Sequence, residues 1–453
     1  MNLPNYFLAD LPPEAVLTGT MIEETCQALK RNRETYMVQR TTASLIRLLS
    51  GTAENWLEAD YPFRKYALEQ GPKETGFSAA TLAAGLDGFF RELTGENLQA
   101  LLVQDIGHLQ RLDSPVASTA EQKLQRAALA SGPEFLVHIT AGRIPNPTFM
   151  SIVLGVLTRS AQFVKCSSGA TFLPRLFAHS LYAADPKLGA CLEVASWRGG
   201  SAHLETALFK EADCVTATGS DETLAAIRRQ VPARTRFLAY GHRVSFAYIT
   251  QEALSGFSPK KIVAAAAADV VAWDQVGCLS PHVIYVENGG AISPELFAEQ
   301  LAGELGRREQ AEPRGELPAE SAAVIASKRA FYEIRAAHSP ETRHWCSENS
   351  TAWTVIYEAD PMFQLSCLNR FIYVKGVGNL TEALQSADSV RGSVSTVGLA
   401  ATEEKSTELV TQLGHWGVTR VCPLGRMQSP PLTWRHDGRP SLGDLVTWTD
   451  WEQ

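Results

Sequence analysis

The chain has 453 residues, which is more than a single hydrophobic core normally supports, so we expect two or three domains. Its 45% hydrophobic and 20% charged residues are typical of a globular protein that folds in water. The net charge of −8 and the lack of basic stripes argue against a nucleic acid as the main partner.

The sequence contains no targeting or membrane signal that we recognise. Its first residues include no basic region followed by an apolar stretch, so we expect no signal peptide. The longest apolar run, residues 262–273, is too short to span a membrane and contains Asp269. The eight cysteines lack paired spacing, which favours reduced thiols in a cytoplasmic protein over disulfides or a zinc site. We therefore expect no metal.

The first 130 residues are predicted to be mostly helical. Apolar residues recur at three- and four-residue intervals in residues 21–49 and 80–109, with Lys, Arg and Glu between them. This spacing is typical of amphipathic helices. The sequence shows no internal repeat.

From Glu134 onward, the pattern alternates between strands and helices. Runs rich in β-branched and aromatic residues predict strands at residues 135–139, 161–165, 192–195 and 214–217. Helical patterns are predicted at residues 149–158 and 173–184. Strands and helices that alternate in this way predict an α/β fold with a parallel sheet covered on both faces.

A second α/β segment is predicted from residue 251 to residue 425. Within it, Cys278 lies between an alanine-rich helical run, residues 260–273, and a strand-like run, residues 282–286. A thiol on such a short connection is placed to act as a nucleophile, whereas free cysteines are more often small buried hydrophobes. Residues 307–320 are charged and contain proline, which predicts a solvated loop.

Loops at the carboxyl ends of parallel strands commonly bind ligands. Here Thr218, Gly219 and Ser220 follow a predicted strand, and Ser220 is placed to cap a helix that begins near Asp221. The sequence has no Gly-x-Gly-x-x-Gly fingerprint, so it shows no ordinary dinucleotide motif. The segment is therefore either a simple helix cap or a pyrophosphate site at a helix N-terminus.

Several short motifs together resemble the aldehyde dehydrogenase superfamily. They occur in the order and approximate spacing of that superfamily: Pro145-Asn146-Pro147-Thr148, Phe163-Val164-Lys165, Thr218-Gly219-Ser220 and Gly277-Cys278. Three further stretches look like the LuxC-type acyl-CoA reductases, which supply fatty aldehyde from acyl thioesters: Tyr240-Gly241-His242-Arg243-Val244-Ser245-Phe246, Pro423-Leu424-Gly425-Arg426-Met427-Gln428 and Trp434-Arg435-His436-Asp437-Gly438-Arg439-Pro440. The resemblance covers residues 130–450.

This resemblance implies an aldehyde-dehydrogenase-like α/β fold. Residues 1–130 are then a mostly helical region that packs on the cofactor domain. Residues 131–250 are a Rossmann-type cofactor-binding domain, and residues 251–425 are an α/β catalytic domain that carries Cys278. Residues 426–453 form a C-terminal segment.

The resemblance also implies roles for individual residues. The residue that matches Cys278 attacks a carbonyl carbon, and the side-chain amide that matches Asn146 joins the backbone N–H of Cys278 in stabilising the oxyanion. Hydrolytic relatives carry a glutamate that activates water where this sequence reads Ala239-Tyr240-Gly241-His242, which leaves His242 as a candidate acid or base. Asn146 can instead be a turn residue between two prolines, and His242 a structural histidine, the role we expect for His282.

By the same resemblance, six residues are expected to bind a nicotinamide cofactor: Lys165, Ser167, Ser168, Thr218, Gly219 and Ser220. NAD-dependent members can carry a carboxylate three residues after the lysine that matches Lys165, where this sequence has Ser168. Two hydroxyls and an ammonium can receive a 2′-phosphate, so we expect NADPH, with NADH as the alternative. A plain polar loop after a strand is the simpler interpretation.

The expected activity is the reduction of a long-chain fatty acyl thioester, carried by CoA or by an acyl-donating protein, to the aldehyde. One alternative is a CoA-acylating aldehyde dehydrogenase that works oxidatively on short aldehydes. Another is an acyl-transfer protein that takes an acyl group on Cys278 without redox chemistry. Lys165 and Gly219-Ser220 argue against the latter, because a pure acyl carrier needs no nucleotide site. From the habit of the superfamily, we expect a homodimer or homotetramer.

Overall fold

The structure is a computed structural model that describes residues 3–12, 14–255 and 259–452. Within these ranges the helices are α1 (Gly19–Tyr36), α2 (Thr42–Leu57), α3 (Pro62–Thr75), α4 (Ala79–Glu92), α5 (Gly95–Ile106), α6 (Thr119–Lys123), α7 (Asn146–Leu157), α8 (Phe172–Ala184), α9 (Pro186–Gly189), α10 (Ala202–Glu211), α11 (Asp221–Gln230), α12 (Gln251–Ser255), α13 (Pro259–Val271), α14 (Pro294–Ala311), α15 (Ala319–His338), α16 (Leu380–Ser386) and α17 (Glu403–Trp416).

The strands in the same ranges are β1 (Arg126–Ser131), β2 (Phe135–Ile139), β3 (Ala161–Cys166), β4 (Leu192–Ser196), β5 (Cys214–Thr218), β6 (Arg236–Tyr240), β7 (Val244–Ile249), β8 (Pro281–Glu287), β9 (Thr342–Cys346), β10 (Thr354–Glu358), β11 (Phe371–Val377), β12 (Val394–Ala400), β13 (Arg420–Pro423) and β14 (Thr447–Glu452). Short 3₁₀ turns lie at Leu8–Asp10, Ala272–Gln275, Asp388–Val390 and His436–Gly438.

The chain divides into two compact units. The first unit consists of Met1–Thr75, Leu86–Gly241 and Pro431–Gln453. The second consists of Gly76–Gly85 and His242–Pro430. Each unit is built around its own parallel or mostly parallel sheet.

The sheet of the first unit has five parallel strands in the order β4-β3-β2-β5-β6. Every residue of β2 and β3 is buried, which explains why these strands read as nearly continuous apolar runs rather than as an alternating pattern. Phe135, Val137 and Phe163 belong to one hydrophobic cluster with residues of α10 and α11. The predicted α/β fold with a covered parallel sheet is confirmed.

The N-terminal part of the first unit is helical, as the spacing of apolar residues predicts. Ile22, Cys26 and Leu29 lie on one face of α1 and are buried in the hydrophobic cluster of the sheet. The predicted helical stretches are each interrupted by a threonine cap. The hydroxyl of Thr41 accepts from the Ser44 N–H at the start of α2, and Thr94 caps α5 in the same way.

The sheet of the second unit has seven strands in the order β13-β12-β7-β8-β11-β10-β9, and β9 pairs antiparallel to β10 at one edge. Alternate residues of β8 point to opposite faces. Val283 and Tyr285 belong to one hydrophobic cluster, and Ile284 and Val286 belong to another. Both faces of this sheet are therefore covered by apolar side chains.

The prediction of a solvated loop at residues 307–320 is wrong for the two ends of that range. α14 continues to Ala311 and α15 begins at Ala319, so only residues 312–318 are irregular. The charged residues instead form i,i+3 and i,i+4 pairs along α14, in which Glu304 pairs with Arg307 and lies 3.0 Å from Nε of Arg308. The charge run is the outer face of a helix whose inner face buries Leu301 and Leu305.

A two-stranded antiparallel ribbon, β1 with β14, completes the first unit. In the same unit, the side chain of Tyr240, at the end of β6, packs between two residues of the C-terminal segment. Its ring stacks on the His436 ring at 4.6 Å between centroids, and the Arg439 guanidinium lies 4.4 Å from its centroid. Two of the LuxC-like stretches of the sequence therefore meet.

Within the described residues, no helix has both the length and the apolar character that a membrane crossing requires.

Candidate active site

Cys278 lies in the second unit, on the short loop between the 3₁₀ turn Ala272–Gln275 and β8. Of the eight cysteines, all of which the structure describes, Cys278 alone is exposed. Burial raises the pKa of the Cys166 and Cys422 thiols to about 11 and that of the Cys26, Cys191 and Cys214 thiols to about 12. Because the thiolate is the nucleophile, these buried thiols are poorly suited to react near neutral pH.

The chain in front of Cys278 has an unusual backbone. The alanine-rich helix was predicted to run to Trp273, but α13 ends at Val271, and Trp273, Asp274 and Gln275 have φ values of 51°, 50° and 64°. Left-handed residues with side chains cost about 1–2 kcal/mol each. Neighbouring groups must therefore hold these three residues in place.

Trp273 is held by the segment of the first 130 residues that belongs to the second unit. Its ring lies against Gly85, where any Cβ would overlap the indole, and its centroid is 5.1 Å from that of Phe77. A glycine in α4 thus makes room for this side chain. The functional significance of Gly85 could not be read from the sequence, because the two residues are far apart in the chain.

Asp274 and Gln275 are fixed by buried polar contacts. Arg370 donates to Oδ1 of Asp274 from Nη2 at 2.7 Å and from Nε at 3.0 Å, and both side chains are almost fully buried. Nε2 of Gln275 donates to the carbonyl oxygens of Pro281 at 2.8 Å and Phe371 at 2.9 Å. The turn before Cys278 is thereby tied to β8 and β11.

The two histidines near Cys278 have different surroundings. His242 is exposed and precedes β7, at the same edge of the sheet where Cys278 precedes β8. His282 is buried, and its Nδ1 accepts from the Ser366 N–H at 3.1 Å. Burial, assisted by the charge of nearby His242, lowers the pKa of His282 to about 4. His282 is therefore neutral near pH 7, and His242 is the accessible histidine of the two.

The six predicted cofactor residues lie together at the carboxyl edge of the sheet in the first unit. Lys165 is on β3, Ser167 and Ser168 follow β3, and Thr218, Gly219 and Ser220 are at the end of β5. β3 and β5 flank β2. Burial lowers the pKa of Lys165, and the charge of Glu205 opposes that effect.

The hydroxyl of Ser220 accepts from the Thr223 N–H at 3.3 Å, so the expected helix cap of α11 is present. The cap and a phosphate-binding role are compatible, because the other N–H groups of a first turn remain directed out of the helix. Asn146 begins α7, directly after the loop that follows β2, and it is therefore at the same edge of the sheet.

Sequence reasoning missed an arginine beside this edge. Arg198 follows β4, which neighbours β3, and it is exposed. Among the described residues its guanidinium has no ion-pair partner, whereas the carboxylate of Glu205 is engaged by the Gly200 N–H at 2.9 Å and by Gln230 at 3.1 Å. The aromatic neighbour Trp197 lies 5.8 Å from the Lys165 ammonium. Nothing in a single sequence distinguishes an exposed arginine after a strand from any other surface arginine.

The sequence matches the family profile described as "Acyl-CoA reductase (LuxC)" over residues 38–448. The chain belongs to the LuxC family. The match covers most of this LuxC chain, including both units and the loop of Cys278. It confirms the resemblance on which the residue roles were predicted, and the roles themselves are treated below as proposals.

Two relatives of this LuxC chain carry the name long-chain acyl-protein thioester reductase. The one from Aliivibrio fischeri is 25% identical over 328 residues, which are 70% of this chain and 64% of that protein. The one from Vibrio harveyi is 23% identical over 256 residues, which are 55% of this chain and 50% of that protein. The matched part is less than two thirds of the length of either relative.

Solved structures similar to this LuxC chain include aldehyde dehydrogenases. A salicylaldehyde dehydrogenase from Pseudomonas putida G7 has a TM-score of 0.69 at 16% identity, over 97% of this chain and 91% of that chain. An NAD-dependent benzaldehyde dehydrogenase from Corynebacterium glutamicum has a TM-score of 0.69 at 12% identity, over 99% and 93%. This likeness confirms the aldehyde-dehydrogenase-like fold.

Proposed function

We propose that this protein reduces a long-chain fatty acyl thioester to the fatty aldehyde, with NADPH as the reductant and Cys278 as the site of acylation. The observation that carries this proposal is that Cys278 is the one exposed thiol of the eight, on a loop fixed by buried contacts, in a chain of the LuxC family. The relatives named long-chain acyl-protein thioester reductase support the substrate class.

The first chemical step is thioester exchange. The Cys278 thiolate attacks the acyl carbon, the bond to the donor sulfur breaks, and a new thioester and a free donor thiolate result. This exchange is nearly isoenergetic, so a thiol is well suited to it. The donor is CoA or an acyl-carrying protein. The amide of Asn146 and the N–H of Cys278 are the proposed oxyanion donors, each worth roughly 3–4 kcal/mol of barrier.

His242 is the proposed acid and base of this exchange. It can take the proton of the Cys278 thiol and return it to the departing donor thiolate, which keeps the proton count balanced. The stretch Ala239-Tyr240-Gly241-His242 has no carboxylate to activate water. The acyl group on Cys278 is therefore expected to persist until it is reduced.

The residues at the edge of the first sheet fit a nicotinamide dinucleotide by their chemistry. The helix start at Ser220 suits a pyrophosphate, and Lys165 with the hydroxyls of Ser167 and Ser168 suits an adenosine ribose that carries a 2′-phosphate. Arg198 adds a second cation. When bound, the cofactor supplies the hydride that converts the acyl group to an aldehyde, which regenerates the Cys278 thiolate.

The absence of a free carboxylate favours NADPH over NADH. Residues 167–171 and 197–201, the two loops concerned, contain no Asp or Glu, and the carboxylate of the neighbouring Glu205 already accepts from the Gly200 N–H at 2.9 Å. A carboxylate there would bind a ribose 2′-hydroxyl and repel a phosphate. None of the eight cysteines, all of which the structure describes, forms a disulfide, which supports a reducing compartment such as the cytoplasm. The superfamily resemblance supports a dimer or tetramer.

Absorbance at 340 nm with NADPH and acyl-CoAs of graded length, or an acylated carrier protein, tests this proposal. We expect NADPH oxidation with release of aldehyde for long acyl chains, none for Cys278→Ala, and normal rates for the control Cys346→Ala, a partly exposed thiol on the edge strand β9. Acyl transfer without NADPH oxidation would favour a non-redox acyl-transfer protein. Activity only with short aldehydes, CoA and an oxidised cofactor would favour the oxidative enzyme.

A further inference from the structure

The carbonyl group of Cys278 is held by a buried serine. Ser245, which is fully buried on β7, donates from Oγ to the Cys278 carbonyl oxygen at 2.7 Å. The same Oγ accepts from the Thr396 N–H on β12 at 3.2 Å. The pairing of β7 with β8 and with β12 is irregular at Ser245, which leaves room for the hydroxyl to bridge the cysteine loop and the sheet.

The residues on both sides of Cys278 are held by Gln428. Its Nε2 donates to Oγ of Ser280 at 2.6 Å, and its amide lies so close to Gly277 that a Cβ there would overlap it. Gln428 is itself anchored through its neighbours. Asp269 on α13 accepts from the Gly425 and Met427 N–H groups at 2.6 and 2.9 Å.

We propose that Ser245 and Gln428 are positioning residues that fix the peptide groups around Cys278 for attack on an acyl thioester. This inference rests on the proposed function. Ser245 sets the orientation of the carbonyl group of Cys278 itself. Gln428 sets the path of the backbone at Gly277, the residue directly before Cys278. Between them they determine where the Cys278 N–H and Sγ point.

The two residues should matter for one kind of reaction and not for another. Attack on a thioester builds negative charge on a carbonyl oxygen, and its rate depends on where an N–H donor lies. Alkylation of the same thiol by iodoacetamide displaces iodide and builds no such oxyanion. Loss of the Ser245 or Gln428 contact should therefore lower the rate of acylation of Cys278 and leave its rate of alkylation unchanged. A loss of general stability or of thiol reactivity changes both.

The experiment compares the two rates on the full chain for Ser245→Ala, Gln428→Met and a control. Ser395→Ala is the matched control, because Ser395 is a buried serine on the neighbouring strand β12 whose hydroxyl has no hydrogen-bond partner among the described residues. Rapid-quench acylation by a labelled acyl-CoA and alkylation of Cys278 by iodoacetamide are both followed by mass spectrometry. Displacing a reacting group by about 1 Å can cost roughly a hundredfold.

We expect Ser245→Ala and Gln428→Met to slow acylation by about ten- to a hundredfold, with alkylation at the wild-type rate. Ser395→Ala should match the wild type in both reactions. If both variants acylate like Ser395→Ala, or if acylation and alkylation slow together, the positioning role is wrong. Gln428 is only partly buried, so its variant decides the question if Ser245→Ala does not fold. A wild-type Cys278 that takes up no acyl group contradicts the proposed function instead.

Discussion

The buried ion pair in front of the cysteine loop allows a quantitative prediction for Arg370→Leu. Arg370 is 1% exposed and Asp274 is 5% exposed, so water cannot compensate either charge. The arginine also donates from Nη1 to Glu309 at 2.9 Å and to the Glu312 carbonyl at 2.8 Å. Removing one partner of such a pair leaves an uncompensated buried charge, which costs about 3–5 kcal/mol.

This cost should appear as a large loss of stability in the second unit, which has about 200 residues. At roughly 2–4 °C per kcal/mol for this size, the midpoint of thermal unfolding should fall by about 6–20 °C. Urea unfolding followed by tryptophan fluorescence gives the free energy directly. The control is Arg307→Leu, whose salt bridge to Glu304 involves a guanidinium that is 72% exposed and which should change stability by less than about 1 kcal/mol.

A double variant separates the charge effect from the loss of packing. Asp274→Asn combined with Arg370→Leu removes both charges and keeps an acceptor for the Gly315 N–H, which lies 3.1 Å from Oδ2 of Asp274. We expect it to be more stable than Arg370→Leu alone. An Arg370→Leu variant whose free energy of unfolding lies within about 1 kcal/mol of the wild type, or a double variant less stable than Arg370→Leu, would refute a large cost of the unpaired buried charge.

Three further predictions concern the candidate site. Because general acid–base groups contribute about 10²–10⁴-fold, His242→Gln should lower turnover at least about a hundredfold while the cofactor Kd, measured by fluorescence titration, stays constant; near-normal turnover contradicts the role. The wild type should prefer NADPH in kcat/KM, and Ser168→Glu should shift the preference toward NADH because its carboxylate repels the 2′-phosphate; an unchanged ratio, or a wild type that prefers NADH, argues against this assignment. The pKa of His282 is about 4 when folded and about 6.5 when unfolded, so the unfolded chain binds more protons between these values and stability falls as the pH falls. His282→Gln should therefore reduce the slope of the unfolding free energy against pH by about one proton in that window, and an identical slope would be inconsistent with a neutral, buried His282.

Much of the fold was predictable from the sequence because its strands are short apolar runs with clear boundaries. The runs at β2 and β3 were recognised, as were the alternation of strands with helices and the cap at Ser220. The charged run at residues 307–320 was misread, because charged residues on the outer face of α14 have the same composition as a loop. Only the burial of Leu301 and Leu305 on the inner face of α14 distinguishes a helix with a charged outer face from a charged loop.

The support of the candidate site was not predictable, since it depends on contacts between distant parts of the chain. Ser245 and Gln428 both lie within stretches that resemble LuxC-type reductases, but a sequence gives no sign that both reach the loop of Cys278. The left-handed turn at Trp273 likewise depends on Gly85 and Arg370. An alanine-rich run contains no local signal that its helix ends before such a turn.

The most direct test of the proposed mechanism is the site of acylation. The protein is incubated with labelled long-chain acyl-CoA without reductant, digested, and mapped by mass spectrometry before and after hydroxylamine. The proposed mechanism predicts one hydroxylamine-sensitive thioester, on the peptide that contains Cys278, which disappears on addition of NADPH and is absent from Cys278→Ala. A label that persists in Cys278→Ala, or that maps to another of the eight cysteines, would contradict it.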